Sequence, residues 1–174
     1  MLLTIAIASG GIVCLAQSNP LSADVRRDYQ RIRGFFILAA EKMPEANHGF
    51  KPSPDVRTFG QVVAHVADDQ YNLCAPAKGE TRKAAYTAIE DTLSKKAELV
   101  AALKDAFTYC DGAYDALTDA SGAEMVMFGN KGMITRFEML NWNLWHTWEH
   151  YGNVAVYLRM KGLVPPTSER KQMK

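Results

Sequence analysis

The sequence predicts an all-α fold, a four-helix bundle with long connections, and three observations carry that prediction. Apolar residues recur at spacings of three and four along most of the chain, the period of an amphipathic helix. No stretch shows the strict alternation of a half-buried strand. Clusters of proline and glycine cut the helical pattern into four long segments, the number a bundle needs. With 174 residues, 48% of them hydrophobic, the chain can bury the core of one domain. It contains no internal repeat and no low-complexity segment.

The first charged side chain is Asp24, and "LLTIAIASGGIVCLAQSNP" before it is apolar and rich in small residues. With Cys14 and Ala16 as small residues at −3 and −1, residues 1–16 read as a secretory leader cut after Ala16. The segment falls short of the ~20 apolar residues of a membrane span. The expectation is a single mature domain at residues 17–174, exported or periplasmic and without membrane attachment. Left unprocessed, the same chain is cytoplasmic.

The first helix is expected over residues 21–42, ending before Pro44. "PEANHGFKPSPDVR" follows as a loop, because its three prolines and glycine break any helical pattern. Thr58 with Gln61 forms a capping box that opens the second helix at "TFGQVVAHVADDQYNLC", and Pro76 and Gly79 close it. Residues 78–91 fit no single pattern and read as a partly helical crossover. A third helix is expected over residues 94–117, and "TDASGAEMVMFGNKG" after it reads as loop. Thr135 with Glu138 makes a second capping box and starts the fourth helix, which Gly162 and then Pro165-Pro166 stop. The longer connections allow some neighbouring helices to run parallel.

Net charge is +1, from 20 basic and 19 acidic residues. No Lys/Arg run is present, which argues against a phosphate-tracking surface and a nucleic-acid partner. Arg26, Arg27, Arg31 and Arg33 are interrupted by Asp24 and Asp28 and read as a solvated helix face. Beyond the leader, Cys74 and Cys110 lack the spacing of a zinc knuckle or redox motif. They are expected as two buried thiols acting as small apolar residues; a disulfide between them is open to an exported protein.

The chemistry is concentrated in "WHTWEHYGNVAVYLRMKG". His146 and His150 lie four apart, on one helical face about 5–6 Å from each other, so both imidazoles can reach one ion at ~2.0–2.1 Å. The helix is apolar enough to be buried on most sides. His146, Glu149, His150 and Asn153 therefore form a polar stripe that must be satisfied, and metal ligation is one way. Such a pair arises often by chance, so a third ligand is required. His65 is the candidate, mid-way along the second helix beside the apolar stripe of Phe59, Val62, Val66 and Leu73. Asp69, one turn later, is placed to orient His65 as an outer carboxylate, whereas Asp68 projects toward solvent. Three histidines with a fourth position open match a catalytic site rather than a closed structural one.

"RTFGQVVAHVADDQYNLC" together with "HTWEHYGNVAVYLRMKGLVPP" resembles the DinB-like family of metalloenzymes, over nearly the whole mature chain. The resemblance implies a four-helix bundle, often a homodimer, with a divalent ion between helices two and four held by His65, His146 and His150. It also implies a small-molecule substrate. Low-molecular-weight thiols are cofactors in better-characterised relatives, although an exported protein does not meet cytosolic thiols readily. Where relatives often carry Asp directly after the first histidine of H-x-x-x-H, this chain has Thr147. Imidazole ligands suit zinc or nickel. The activity expected is Lewis-acid activation of water or a thiol for attack on a small electrophile, of hydrolase or thiol-transferase type. Glu149 is the candidate base, or a surface carboxylate beside the site.

"HTWEH" also fits the inverted zincin signature, but too little chain follows His150 for such a peptidase. A di-iron bundle needs two Glu-x-x-His pairs on helices, and Glu45 to His48 lies in a loop. The reading from a different class is a non-enzymatic metal- or ligand-binding bundle. In it Trp142, Trp145, Trp148, Tyr151 and Tyr157 line a pocket or pack the core.

Overall fold

The computed structural model describes residues 19–81 and 88–169; the leader expected at residues 1–16 lies outside them. Four long helices form the bundle: α1 (Pro20–Lys42), α2 (Phe59–Ala77), α4 (Lys96–Asp115) and α6 (Arg136–Met160). Two single-turn helices, α3 (Ile89–Thr92) and α5 (Asp119–Gly122), and a hairpin of β1 (Met125–Met127) with β2 (Met133–Thr135) occupy the connections.

Local chemistry sets the helix ends. Pro20 sits at the start of α1, where its missing N–H costs nothing. The next free N–H groups, of Leu21 and Ser22, donate to the Asp119 carboxylate at 3.3 and 2.8 Å, so α5 caps α1 from a distance. At α2 the expected capping box forms in both directions: Gln61 N–H donates to Thr58 Oγ1, and Thr58 N–H donates to Gln61 Oε1. At α6 Thr135 Oγ1 accepts from Glu138 N–H at 3.1 Å, the forward half of the second box.

The contacts give the helix directions. Phe59 meets Tyr157 and, further along, Gln70 bonds to Asn143, so α2 and α6 are antiparallel. Gly60 lies against Leu99 while Cys74 is bonded to Cys110, so the consecutive helices α2 and α4 are parallel. Likewise α1 runs with α6, through Phe35 on Trp148 and Lys42 on the Val164 carbonyl. Its neighbour α4 runs against it, through Arg26 on the Tyr114 carbonyl and Phe36 on Phe107. Parallel neighbours require a crossover returning the length of a helix, roughly 28 Å for α2, and the long connection between α2 and α4 supplies it. The core between these helices contains Ile32, Phe36, Phe59, Leu103, Phe107, Met139, Leu140 and Leu158, all buried.

Two expectations need correction. The segment expected as loop before α6 pairs as an antiparallel hairpin, Met127 opposite Met133, with Val126 buried between exposed methionines. Three residues are too few for alternation to register as a strand signal. Gly132, at φ 98°, provides the backbone turn that returns the chain. The two mature cysteines are not free thiols: Cys74 and Cys110 form a disulfide joining α2 to α4, Cα atoms 5.3 Å apart. Their pairing depends on two helices meeting in space, which spacing cannot show.

Gly122 in α5 lies under the Phe137 ring, where an added Cβ would come within 2.1 Å of ring carbon Cε2. Gly122→Ala is therefore expected to destabilise the fold by about 1–3 kcal/mol, the usual cost of overpacking. Urea denaturation measures it, and an unchanged midpoint would show that Phe137 swings aside freely.

Candidate metal centre

His65 is carried by α2 and His146 and His150 by α6, and antiparallel packing brings the three together. Each offers a ring nitrogen, and the three nitrogens lie within 4.8 Å of one another. His146 Nε2 and His150 Nε2 are 3.1 Å apart. Two nitrogens each ~2.1 Å from one ion stand about 3.0–3.4 Å apart for angles between a right angle and tetrahedral. The separation fits a shared cation. Asp69 Oδ2 lies 3.1 Å from His65 Nε2 and 3.5 Å from His146 Nε2, and Asn72 donates to the other Asp69 oxygen.

Burial favours the neutral form that ligation requires in His146 and His150. Burial pushes His150 down to about 3, helped by the neighbouring charges of His146 and His65. Burial also lowers His146, partly opposed by Asp69 and Glu149. Among the described residues, buried His150 Nδ1 has no hydrogen-bond partner, an unusual cost for a ring with no task. The donor set therefore suits a divalent ion: three ring nitrogens within reach of one another with carboxylates close by.

Lowered imidazole values set the pH response of the metal-free protein. The folded state keeps His150 neutral, while the unfolded state takes up a proton below about 6.5. Stability is therefore complete above that pH and is lost as pH falls toward the folded value. His48, buried at the loop before α2 and lowered chiefly by burial, acts in the same direction. Thermal melts in chelator should show a lower midpoint at pH 5 than at pH 7, and equal midpoints would mean that these rings are charged in the fold.

Several residues that sequence reasoning passed over shape the site. Asp68, expected to face solvent, is buried; its carboxylate accepts from the Ile89 and Glu90 N–H groups at 3.1 and 3.0 Å. It thereby caps α3 and ties the crossover to α2. Glu90 is brought by this cap to within 3.5 Å of His65 Nδ1, and Arg57 Nε donates to it at 2.8 Å. Below the histidines a buried network locks α2 to α6. Gln70 donates to Thr147 Oγ1, Asn143 donates to Gln70, and Tyr114 donates to Asn143. Thr147, next to His146, thus serves packing between helices. Amide and hydroxyl residues on helix faces carry no sequence signal that they are partners. Glu149 is exposed on α6 and lines neither neighbouring cavity.

Those two cavities flank the histidines. One, of about 610 Å³, reaches His150 and Glu90 between Val56, Arg57, Asn153 and Tyr157. The other, of about 360 Å³, reaches His146 and Asp69 beside Phe128, Lys131 and Trp142. Of the aromatic stripe on α6, Trp142 and Tyr157 line cavities, Trp148 and Tyr151 pack on Phe35, and Trp145 is exposed.

Fold and site together define a helical bundle with three histidines converging between two antiparallel helices. The DinB superfamily model matches residues 29–154, and the chain belongs to that superfamily. Solved structures agree on the fold. A DinB-like protein from Bacillus cereus is 14% identical, with a TM-score of 0.71 over 83% of this chain and 95% of that one. YfiT from Bacillus subtilis, described as a probable metal-dependent hydrolase with an unusual four-helix bundle topology, is 18% identical. Its TM-score is 0.66 over 85% of this chain and 91% of that one. A mycothiol-dependent maleylpyruvate isomerase is 16% identical, with a TM-score of 0.62 over 79% of this chain and 66% of that one. Among curated proteins, none matches the chain.

Proposed function

We propose that the protein is a divalent-metal-dependent enzyme in which His65, His146 and His150 hold the ion and a small electrophilic substrate enters beside it. The observation that carries this reading is the convergence of three imidazoles, one of which, His150, lines a cavity of about 610 Å³, within the usual size range of small-molecule sites. When bound, the ion supplies Lewis-acid activation of a water or thiol nucleophile. The chain's own residues do the rest. Val56, Val62 and Val156 give the cavity apolar walls, while Arg57 and Asn153 offer it polar contacts. Glu149, exposed beside His146, contributes charge rather than a hydrogen-bonded base in this reading, and Glu149→Gln is expected to change turnover less than threefold.

Zinc or nickel is the ion the nitrogen donors favour. Hydrolysis is favoured over thiol transfer by the disulfide, which belongs to an oxidising compartment and supports export, away from cytosolic thiols. A homodimer is part of the same proposal.

Elemental analysis of protein purified without added metal tests the reading, followed by an ester and thiol panel. About one zinc or nickel per chain is expected. In the cobalt-substituted protein, azide or a thiol should shift the visible spectrum by occupying an open position. An ion that ignores both probes would favour a non-enzymatic binding bundle, and a protein that takes up no ion would overturn the proposal.

A further inference from the structure

We infer that Glu90, not Asp69, is the carboxylate that orients His65, and that Asp69 stands on the face shared by ion and reactant. The inference rests on the three-histidine reading above and reverses the role that sequence position suggests for Asp69.

An imidazole has two ring nitrogens and can give only one to an ion; the other is usually fixed by a hydrogen bond to a carboxylate or carbonyl. Both nitrogens of His65 face carboxylates here, Nε2 toward Asp69 and Nδ1 toward Glu90. The two carboxylates are not equivalent. Asp69 Oδ2 touches His146 Nε2 as well as His65 Nε2, and His146 Nε2 is the atom facing His150 Nε2. Asp69 is therefore on the side where ligand nitrogens gather, and it opens into the cavity beside His146. A carboxylate there cannot also stand behind His65.

Glu90 has the features of an orienting group. It approaches Nδ1, the nitrogen turned away from Asp69. One of its oxygens is held by Arg57 Nε at 2.8 Å, leaving the other for His65. The turn that carries it is fixed to α2 by Asp68, three residues after His65, through two backbone N–H groups. Arg57 is itself anchored, its carbonyl accepting from Tyr157 Oη at 2.6 Å. A rigid carboxylate behind a ligand sets the ring's tautomer and rotation and raises its basicity. Glu90 is in this sense a positioning residue acting through His65.

Zinc affinity of the full-length protein, measured by chelator competition, tests the partner of His65. Glu90→Gln is expected to weaken zinc binding about 10–100-fold, the usual cost of removing such a partner, and an unchanged affinity would overturn the assignment. Long-range proton–nitrogen NMR of the zinc-loaded wild type reads the same point without any substitution, and so covers a Glu90→Gln that fails to fold. His65 should be protonated on Nδ1 and ligated through Nε2; ligation through Nδ1 would overturn the inference. Failure of the wild type to bind zinc at all would instead strike the three-histidine reading.

Discussion

His146→Ala should abolish stoichiometric metal binding while leaving helicity close to wild type. A structural zinc site is worth ~10–16 kcal/mol shared among four ligands, so each ligand carries roughly 3 kcal/mol, more than a hundredfold in Kd. Two imidazoles from different helices would be left, a set too poor to hold an ion through purification. His146 is the informative choice because its side chain is partly exposed. Removing it opens no sealed cavity, whereas His150 is buried and its loss would mix packing with ligation. Elemental analysis and far-ultraviolet circular dichroism on the same sample decide the matter. Full occupancy in the variant would remove His146 from the site.

Removing the disulfide should have the largest effect on stability. Cys74 and Cys110 are separated by 36 residues, and closing a loop of that size in the unfolded chain is worth roughly 3–4 kcal/mol on the loop-entropy model. The double variant Cys74→Ala, Cys110→Ala should therefore melt about 10 °C lower, and wild type in reductant should approach the same midpoint. Both residues are fully buried, so reduction would be slow below the transition. Metal affinity should fall less than stability does, because Gln70, Thr147 and Asn143 bond α2, which carries His65, directly to α6. Equal melting midpoints for the double variant and the wild type would show that the bond contributes nothing.

Much of the fold is legible in the sequence because its signals are local. Thr58 and Gln61 announce the start of α2 through bonds between residues three apart, and Pro44, Gly162 and Pro165 mark ends by backbone geometry. His146 and His150 share a face because helical pitch places them there. Glu90 had no such signal. It lies 25 residues from His65 by number, on a single turn too short to show periodicity, and reaches the site only because buried Asp68 caps that turn. Asp68 and Asp69 are adjacent and chemically alike, yet one is a structural cap and the other faces the histidines. Burial on two sides of α2, rather than composition, distinguishes them.

The amino-acid sequence by itself determined that this chain is helical, where its four long helices begin and end, and which three histidines were candidates to act together. Those properties follow from hydrogen bonds and side-chain spacings within a turn or two of backbone. The tertiary structure decided that α2 runs with α4 and against α6, that Cys74 meets Cys110, and which carboxylates flank His65. Such facts depend on how helices distant in sequence pack against one another. The free energy that selects one packing is spread over the whole core, so no short stretch of residues records it.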